Sequence, residues 1–156
     1  MDVLVEKNRK WIASLHESID QLGEDLKAEI MKPAGEGCAS DLLKLCEEHL
    51  GREVVTVEDL VEGWNTLRER RGLNGKWEID GSTVRAIFGE CGCRLVRSGM
   101  IALHPIQCYC SQGLMEAAFG KVAKHPVTAG IVRAIGWGDS VCEFVITTNL
   151  STDDDT

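Results

Sequence analysis

The sequence predicts an α+β fold: N-terminal helices, then a roughly four-stranded antiparallel sheet built as hairpin–helix–hairpin, with helices on one face. Two observations carry this. Apolar residues recur at spacings of three and four up to about residue 73, then alternate from Trp77 onward. Turn-forming residues punctuate the second half, at Asp80-Gly81 and at Gly136-Trp137-Gly138-Asp139-Ser140. A chain of 156 residues, 44% apolar and 27% charged, has the size and composition of one soluble domain with its own core.

Residues 8 to 31 read as one amphipathic helix. Trp11, Leu15, Ile19, Leu22, Leu26 and Ile30 share a face, expected to pack on the core, with a helix-mediated homodimer as the alternative use. Pro33, Gly35 and Gly37 should break it. A second helix runs from Ser40 to Leu50 and stops at Gly51; Cys38 and Cys46 read as its small buried thiols. A third starts at Thr56, with Asp59 in a capping-box variant, and ends by Gly72. Its apolar face is Val57, Leu60, Val61, Trp64 and Leu67, and Arg68-Glu69-Arg70-Arg71 reads as its solvated end. Residues 1–75 form a helical region and 76–150 a cysteine-containing α+β region of one compact domain. A disordered tail, residues 151–156, carries Asp153-Asp154-Asp155.

In the second half, Trp77 and Ile79 precede a hairpin turn expected at Asp80-Gly81. The next strand sets Val84, Ala86 and Phe88 against Thr83, Arg85 and Ile87. Ser111 is expected to cap a short helix with Leu114, Met115, Ala118, Phe119 and Val122 facing inward. Strands Val127 to Ile135 and Val141 to Thr147 close the domain. A helix between two hairpins leaves room for an apolar pocket, expected to be lined by Phe88, Leu114, Ala118, Phe119 and Phe144.

The net charge of −8 excludes nucleic acid, whose binding depends on Lys and Arg neutralising phosphates, and an anionic membrane surface. No apolar run reaches the roughly 18 residues of a membrane span. The start, Met1-Asp2-Val3-Leu4-Val5-Glu6, does not read as a signal peptide. The expected location is the cytoplasm, where thiols stay reduced; seven cysteines also cannot all pair within one chain.

Five of those cysteines are the chemical feature of the chain: Cys91 and Cys93, Cys108 and Cys110, and Cys142. In an extended segment, residues i and i+2 point to one side, so each Cys-x-Cys could act as a chelating arm. Two arms complete the tetrathiolate set that structural zinc favours. Cys142, with Phe144 and Ile146 on one strand face, reads as a fifth candidate or a small buried hydrophobe. A three-cysteine site or an iron–sulfur centre is the second choice. His104 reads as a core or surface histidine, a substitute ligand, or a base for Cys108 with Asp139 as orienter. Asp139 also suits simple turn chemistry.

Cys91-Gly92-Cys93, Cys108-Tyr109-Cys110-Ser111-x-Gly113, Pro126-Val127 and Gly138-Asp139-x-x-Cys142-x-Phe144-x-Ile146 together resemble a family of small bacterial and archaeal proteins. These in turn look like distant relatives of the 4-vinyl reductase domain, a hydrocarbon-binding module. That domain shares its fold with TRAPP-type trafficking subunits and occurs in aromatic-sensing transcription activators. The resemblance covers residues 76 to 147. It implies a helix-covered antiparallel sheet around an apolar pocket with a cysteine-rich zinc site nearby, at Cys108 or Cys110 and at Cys142. The activators have an acidic residue and another cysteine where this chain reads Ile131-Val132-Arg133-Ala134, so Cys91 and Cys93 would have to supply the missing ligands.

The leading expectation is a metal-containing small-molecule-binding or sensory domain, with zinc as cofactor and a small hydrophobic molecule as ligand. With no separate output domain in these residues, signalling is expected to need a partner or a homodimer. The alternatives are a cysteine-dependent hydrolase resembling the aminothiazoline-carboxylate hydrolases, using Cys108 or Cys110 with His104, and a structural or partner-binding module whose thiols are reduced and buried.

Overall fold

A computed structural model describes residues 2–148; Met1 and the tail expected at 151–156 lie outside the described residues. The apolar stripe expected on one helix is divided between two, α1 (Val3–Asp20) and α2 (Glu24–Glu36). Asp2 caps α1 by accepting the Leu4 N–H at 2.8 Å. The break falls at residues 21–23, where Gly23 takes an extended N-cap conformation for α2. Pro33 does not end α2 but lies inside it, exposed, so the acceptor left free by its missing N–H can be hydrated. The stripe is not a core face either. Trp11, Leu15, Leu22, Leu26 and Ile30 stay exposed, from 39% for Leu22 to 62% for Trp11. The face of α1 that packs is a different one, centred on the buried His16 and joined to the loop at residues 99–104 by Asn8 Nδ2 to Met100 O (2.9 Å) and Arg9 Nη1 to Gly99 O (3.3 Å).

Helix α3 (Ala39–Leu50) ends on Gly51, at φ 74°, the left-handed C-terminal position that favours glycine. Helix α4 (Val57–Arg70) carries the complete capping box, with Thr56 and Asp59 exchanging side-chain and backbone bonds. Arg68 departs from its expected solvated place. It is 2% exposed, lies over the Trp64 and Phe88 rings, and pairs with Glu90 at 2.8 Å. The aromatic faces and the carboxylate compensate its burial.

Strands β1 (Gly75–Asp80), β2 (Thr83–Phe88), β3 (Thr128–Arg133) and β4 (Cys142–Thr147) form one antiparallel sheet in the order β1-β2-β4-β3. The β1–β2 turn is Gly81-Ser82 rather than Asp80-Gly81: Asp80 pairs with Thr83, and Gly81 alone takes a positive φ. Between the hairpins lie a short helix α5 (Arg94–Arg97) and helix α6 (Gln107–Ala123). Helix α6 starts before Ser111 and so absorbs Cys108-Tyr109-Cys110. Among the described residues the chain is α+β, with six α-helices and four strands.

Trp77, Val84, Ala86, Phe88, Phe144 and Ile146 bury one sheet face beneath α4 and α6. The core draws on helical and sheet residues together, Leu42, Cys46 and Leu60 packing with Phe119. On the other face Glu143 joins Arg85 (2.8 Å) and Arg133 (2.7 Å) across the ladder, and these guanidinium groups hold its carboxyl below the usual range.

Helices α2 and α6 cross in direct backbone contact. A Cβ on Gly35 would overlap the Cys110 carbonyl, and one on Gly113 would overlap the Lys32 carbonyl. Replacing either Gly35 or Gly113 by Ala should therefore destabilise the protein by about 1–3 kcal/mol in urea unfolding, the usual cost of overpacking. Gly120→Ala, where a Cβ would meet only His125 O at 3.6 Å, should instead be neutral or gain up to about 1 kcal/mol of helix propensity.

Candidate functional site

The first turn of α6 is the hinge of the site. Cys108 and Cys110 sit on it rather than on an extended arm, so their Cβ directions differ by roughly 200° and they cannot chelate as neighbours. Cys108 turns toward Gly136, where a Cβ would come within 3.4 Å of its Sγ. Cys110 has its carbonyl against α2 at Gly35. Cys91 and Cys93 lie on the segment between β2 and α5, outside regular structure. Cys142 opens β4, paired with Phe88, and its Sγ accepts the Ile135 N–H at 3.3 Å.

All five nevertheless line one small cavity of about 40 Å3, with Leu103, Ile135 and Phe144 as its apolar share. Of the expected pocket residues, Phe144 borders this cavity. Phe88, Ala118 and Phe119 are packed in the core, and Leu114 lies against its edge. As the side chains stand, no group of three or more His, Cys, Asp or Glu among the described residues has the geometry to hold an ion.

Burial disfavours the thiolate at Cys91, Cys108, Cys110 and Cys142. Burial, then the neighbouring Cys142 and Cys91, pushes Cys108 up to about 12. Burial, followed by Cys93, Cys38 and Cys91, pushes Cys110 up to about 11. Cys91 and Cys142 are raised as well, again chiefly by burial. Thiols in this state are poor nucleophiles, because the thiolate is the reactive form. Neither is the hydrolase constellation assembled. His104 accepts the Ile106 N–H through Nδ1 (3.3 Å) and meets Glu17 through Nε2 (3.0 Å), so both ring nitrogens are engaged away from Cys108. Asp139 accepts the Ala134 N–H at 2.9 Å, the turn role.

Sequence reading missed four contributors. Cys38 is exposed at the α2–α3 junction, so of the two thiols expected to be buried at α3 Cys46 alone is. Glu90 accepts from Arg68 and from the Asn74 N–H (2.9 Å), which fixes the segment just before Cys91. Tyr109 and Trp137, with ring centroids 6.3 Å apart, wall a groove of about 360 Å3 on the outer side of the same helical turn. Trp137 Nε1 donates to Pro105 O at 3.0 Å, and the Tyr109 hydroxyl donates to Glu24. Opposite the rings, Lys27 bridges Asp20 and Glu24 at 3.1 Å each. An aromatic pair has no helical or alternating pattern to reveal it when its members lie 28 positions apart in sequence (137 − 109).

The chain is similar in structure to the phenol-responsive sensory domain of the transcription activator PoxR, solved with phenol, with a TM-score of 0.53 and 14% identity over 90% of this chain and 73% of that one. It is also similar to trafficking protein particle complex subunit 3 from Naegleria fowleri, covalently bound to palmitic acid. There the TM-score is 0.51 and the identity 14%, over 93% and 92% of the two chains. The likeness is one of fold. No protein-family model matches the chain, and no curated protein matches its sequence.

With iodoacetamide near pH 8, the exposed Cys38 should be alkylated first, while Cys46, fully buried and pushed up to about 12, stays unmodified until the protein unfolds. Peptide mass mapping over time reads this order directly. A fast-reacting Cys108 would contradict the burial described above.

Proposed function

We propose that the chain is a small-molecule-binding sensory domain in which buried thiols hold a soft metal ion, zinc by the chemistry of the donors. The observation that carries this reading is the convergence of Cys91, Cys93, Cys108, Cys110 and Cys142, from three separate parts of the chain, on one cavity of about 40 Å3. That volume is on the scale of a water or an ion rather than an organic ligand. Thiolate sulfur is the donor that zinc and other soft cations prefer. Cys91, Cys108 and Cys142 are the ligands in this reading, tying the loop, α6 and β4 together. A zinc ion there supplies rigidity and charge neutralisation to three groups that repel one another as thiolates.

The small molecule occupies the Tyr109–Trp137 groove, whose 360 Å3 lies in the usual range for a ligand site. Its rings favour a small aromatic or otherwise hydrophobic molecule, and the carboxylates of Asp20 and Glu24 would accept a hydrogen bond from it. A phenol-responsive domain of the same fold supports that class. The free thiols accord with the reducing cytoplasm. Among the described residues no helix is long and apolar enough to cross a membrane.

Protein purified without chelator should contain stoichiometric zinc by elemental analysis and lose most of it on Cys108→Ser or Cys142→Ser. Added phenol should then quench the fluorescence of the zinc-loaded protein saturably, with Tyr109→Ala weakening binding about tenfold, the equivalent of about 1.4 kcal/mol. Protein that takes up no zinc, or a phenol response unaffected by Tyr109→Ala, overturns the corresponding half of the proposal.

The exposed stripe of α1 and α2 supports a homodimer. A two-fold pairing of that stripe would bury Trp11, Leu15, Leu22, Leu26 and Ile30 against a second copy. Light scattering during size exclusion should give a dimer mass that falls to the monomer on Trp11→Glu with Leu15→Glu. A monomeric wild-type chain at tens of micromolar would rule it out.

A further inference from the structure

The groove beside Tyr109 and Trp137 has a charge pattern as well as an aromatic wall. Three charged residues line it: Asp20 at the end of α1, Glu24 at the start of α2, and Lys27 one turn further along α2. Lys27 Nζ lies 3.1 Å from both Asp20 and Glu24, so two carboxylates share one ammonium and the lining keeps a net charge of −1. The donors of the aromatic wall are already spent. The Tyr109 hydroxyl donates to Glu24 and Trp137 Nε1 to Pro105 O. The backbone N–H groups of Ile106, Tyr109 and Trp137 go to His104 Nδ1, Ile106 O and Ala134 O, and Pro105 has none. At the start of α2, whose first N–H groups could attract an anion, the first turn carries Glu24 and Asp25.

We infer that the groove selects an organic monocation, an arylalkylamine in its ammonium form, over a neutral or anionic molecule with the same ring. A ligand that brings only acceptors finds no uncommitted side-chain donor among the described residues of the lining, whereas one that brings N–H donors finds two carboxylates. Charge-assisted bonds of that kind are about twice as strong as neutral ones. The two rings stand at 57° with centroids 6.3 Å apart, two walls of a corner rather than a stack. Aromatic faces carry the negative part of the ring quadrupole and attract a cation. The α1 C-terminus and the α2 N-terminus both lie at this edge, so their dipoles offset and the side-chain charges decide. Lys27 sets the valence: by neutralising one of two carboxylates it matches the groove to a single positive charge. The inference rests on the reading of this groove as the ligand site and names the class of ligand it takes.

The test uses the full chain and three probes that share one ring: benzylammonium, benzyl alcohol and benzoate. Each is titrated by calorimetry at about pH 7.5, where histidine is neutral. Benzylammonium should bind about tenfold more tightly than benzyl alcohol, and benzoate more weakly than either. Glu24→Gln keeps an acceptor for Tyr109 but removes the net charge, so it should remove most of that tenfold preference and leave benzyl alcohol unchanged. Lys27→Gln should tighten benzylammonium binding, provided circular dichroism shows the fold intact. Glu58→Gln makes the same change of charge at an exposed position on α4 and should alter nothing. Equal affinity for benzylammonium and benzyl alcohol, both weakened by Tyr109→Ala, overturns the cation preference and leaves the groove as the ligand site. Tightest binding of benzoate gives recognition to Lys27 and overturns it as well. A preference lost equally in Glu58→Gln belongs to the field of the whole chain, which removes it from the groove. Binding of no probe, or binding indifferent to Tyr109→Ala, overturns the groove reading and this inference together.

Discussion

The site depends on a backbone contact between two helices. Where α2 crosses α6, Gly35 and Gly113 present no Cβ, so each can lie against a carbonyl of the other helix, Cys110 and Lys32 respectively. Close packing means that such a contact fixes position to a fraction of the width of a side chain. It fixes the start of α6, and with it the directions of Cys108, Tyr109 and Cys110. Lys32 and Glu116, paired at 3.0 Å, bridge the same two helices. The larger contribution is steric, since a partly exposed ion pair adds little.

Around that fixed turn, the other thiols are brought in by separate means. Cys142 is set by the β-ladder through its pairing with Phe88. Cys91 follows Glu90, which the buried Arg68 and the Asn74 N–H hold in place. A guanidinium that is 2% exposed is costly to bury, and here it fixes the end of β2 against α4. Burying several thiols together raises their pKa values, because each thiolate would lose water and face its neighbours. A cation would reverse both effects. That is the physical reason for proposing a metal centre there rather than a nucleophile.

Under the proposed reading the same helical turn serves two occupants. Cys108 and Cys110 both border the thiol cavity, and Tyr109 between them borders the groove with Trp137. Trp137 in turn follows Gly136, which lies against Cys108. A molecule that moved Tyr109 or Trp137 would therefore act on backbone that also carries metal donors. This is a local route for coupling, through covalent neighbours rather than across the fold.

The sequence by itself determined the architecture. The switch from helical to alternating period at about residue 73, the Thr56–Asp59 capping box, Gly51 and the burial of Val84, Ala86 and Phe88 are all local or short-range properties, and the structure has each of them. It also marked five cysteines that come together at one cavity. The tertiary structure decided the rest. The sequence could show the apolar stripe of residues 8 to 31 but not whether anything covers it, since burial depends on distant surfaces. Ser111 is a good cap by type, whereas the N-cap of α6 is Ile106, five residues earlier, where the helix packs on α2. That shift turned Cys108 and Cys110 apart on the helix and buried Cys108 at the cavity that Cys142 also borders. Periodicity describes one element at a time; which thiols meet is set by how two helices cross, and glycine spacing alone does not reveal that.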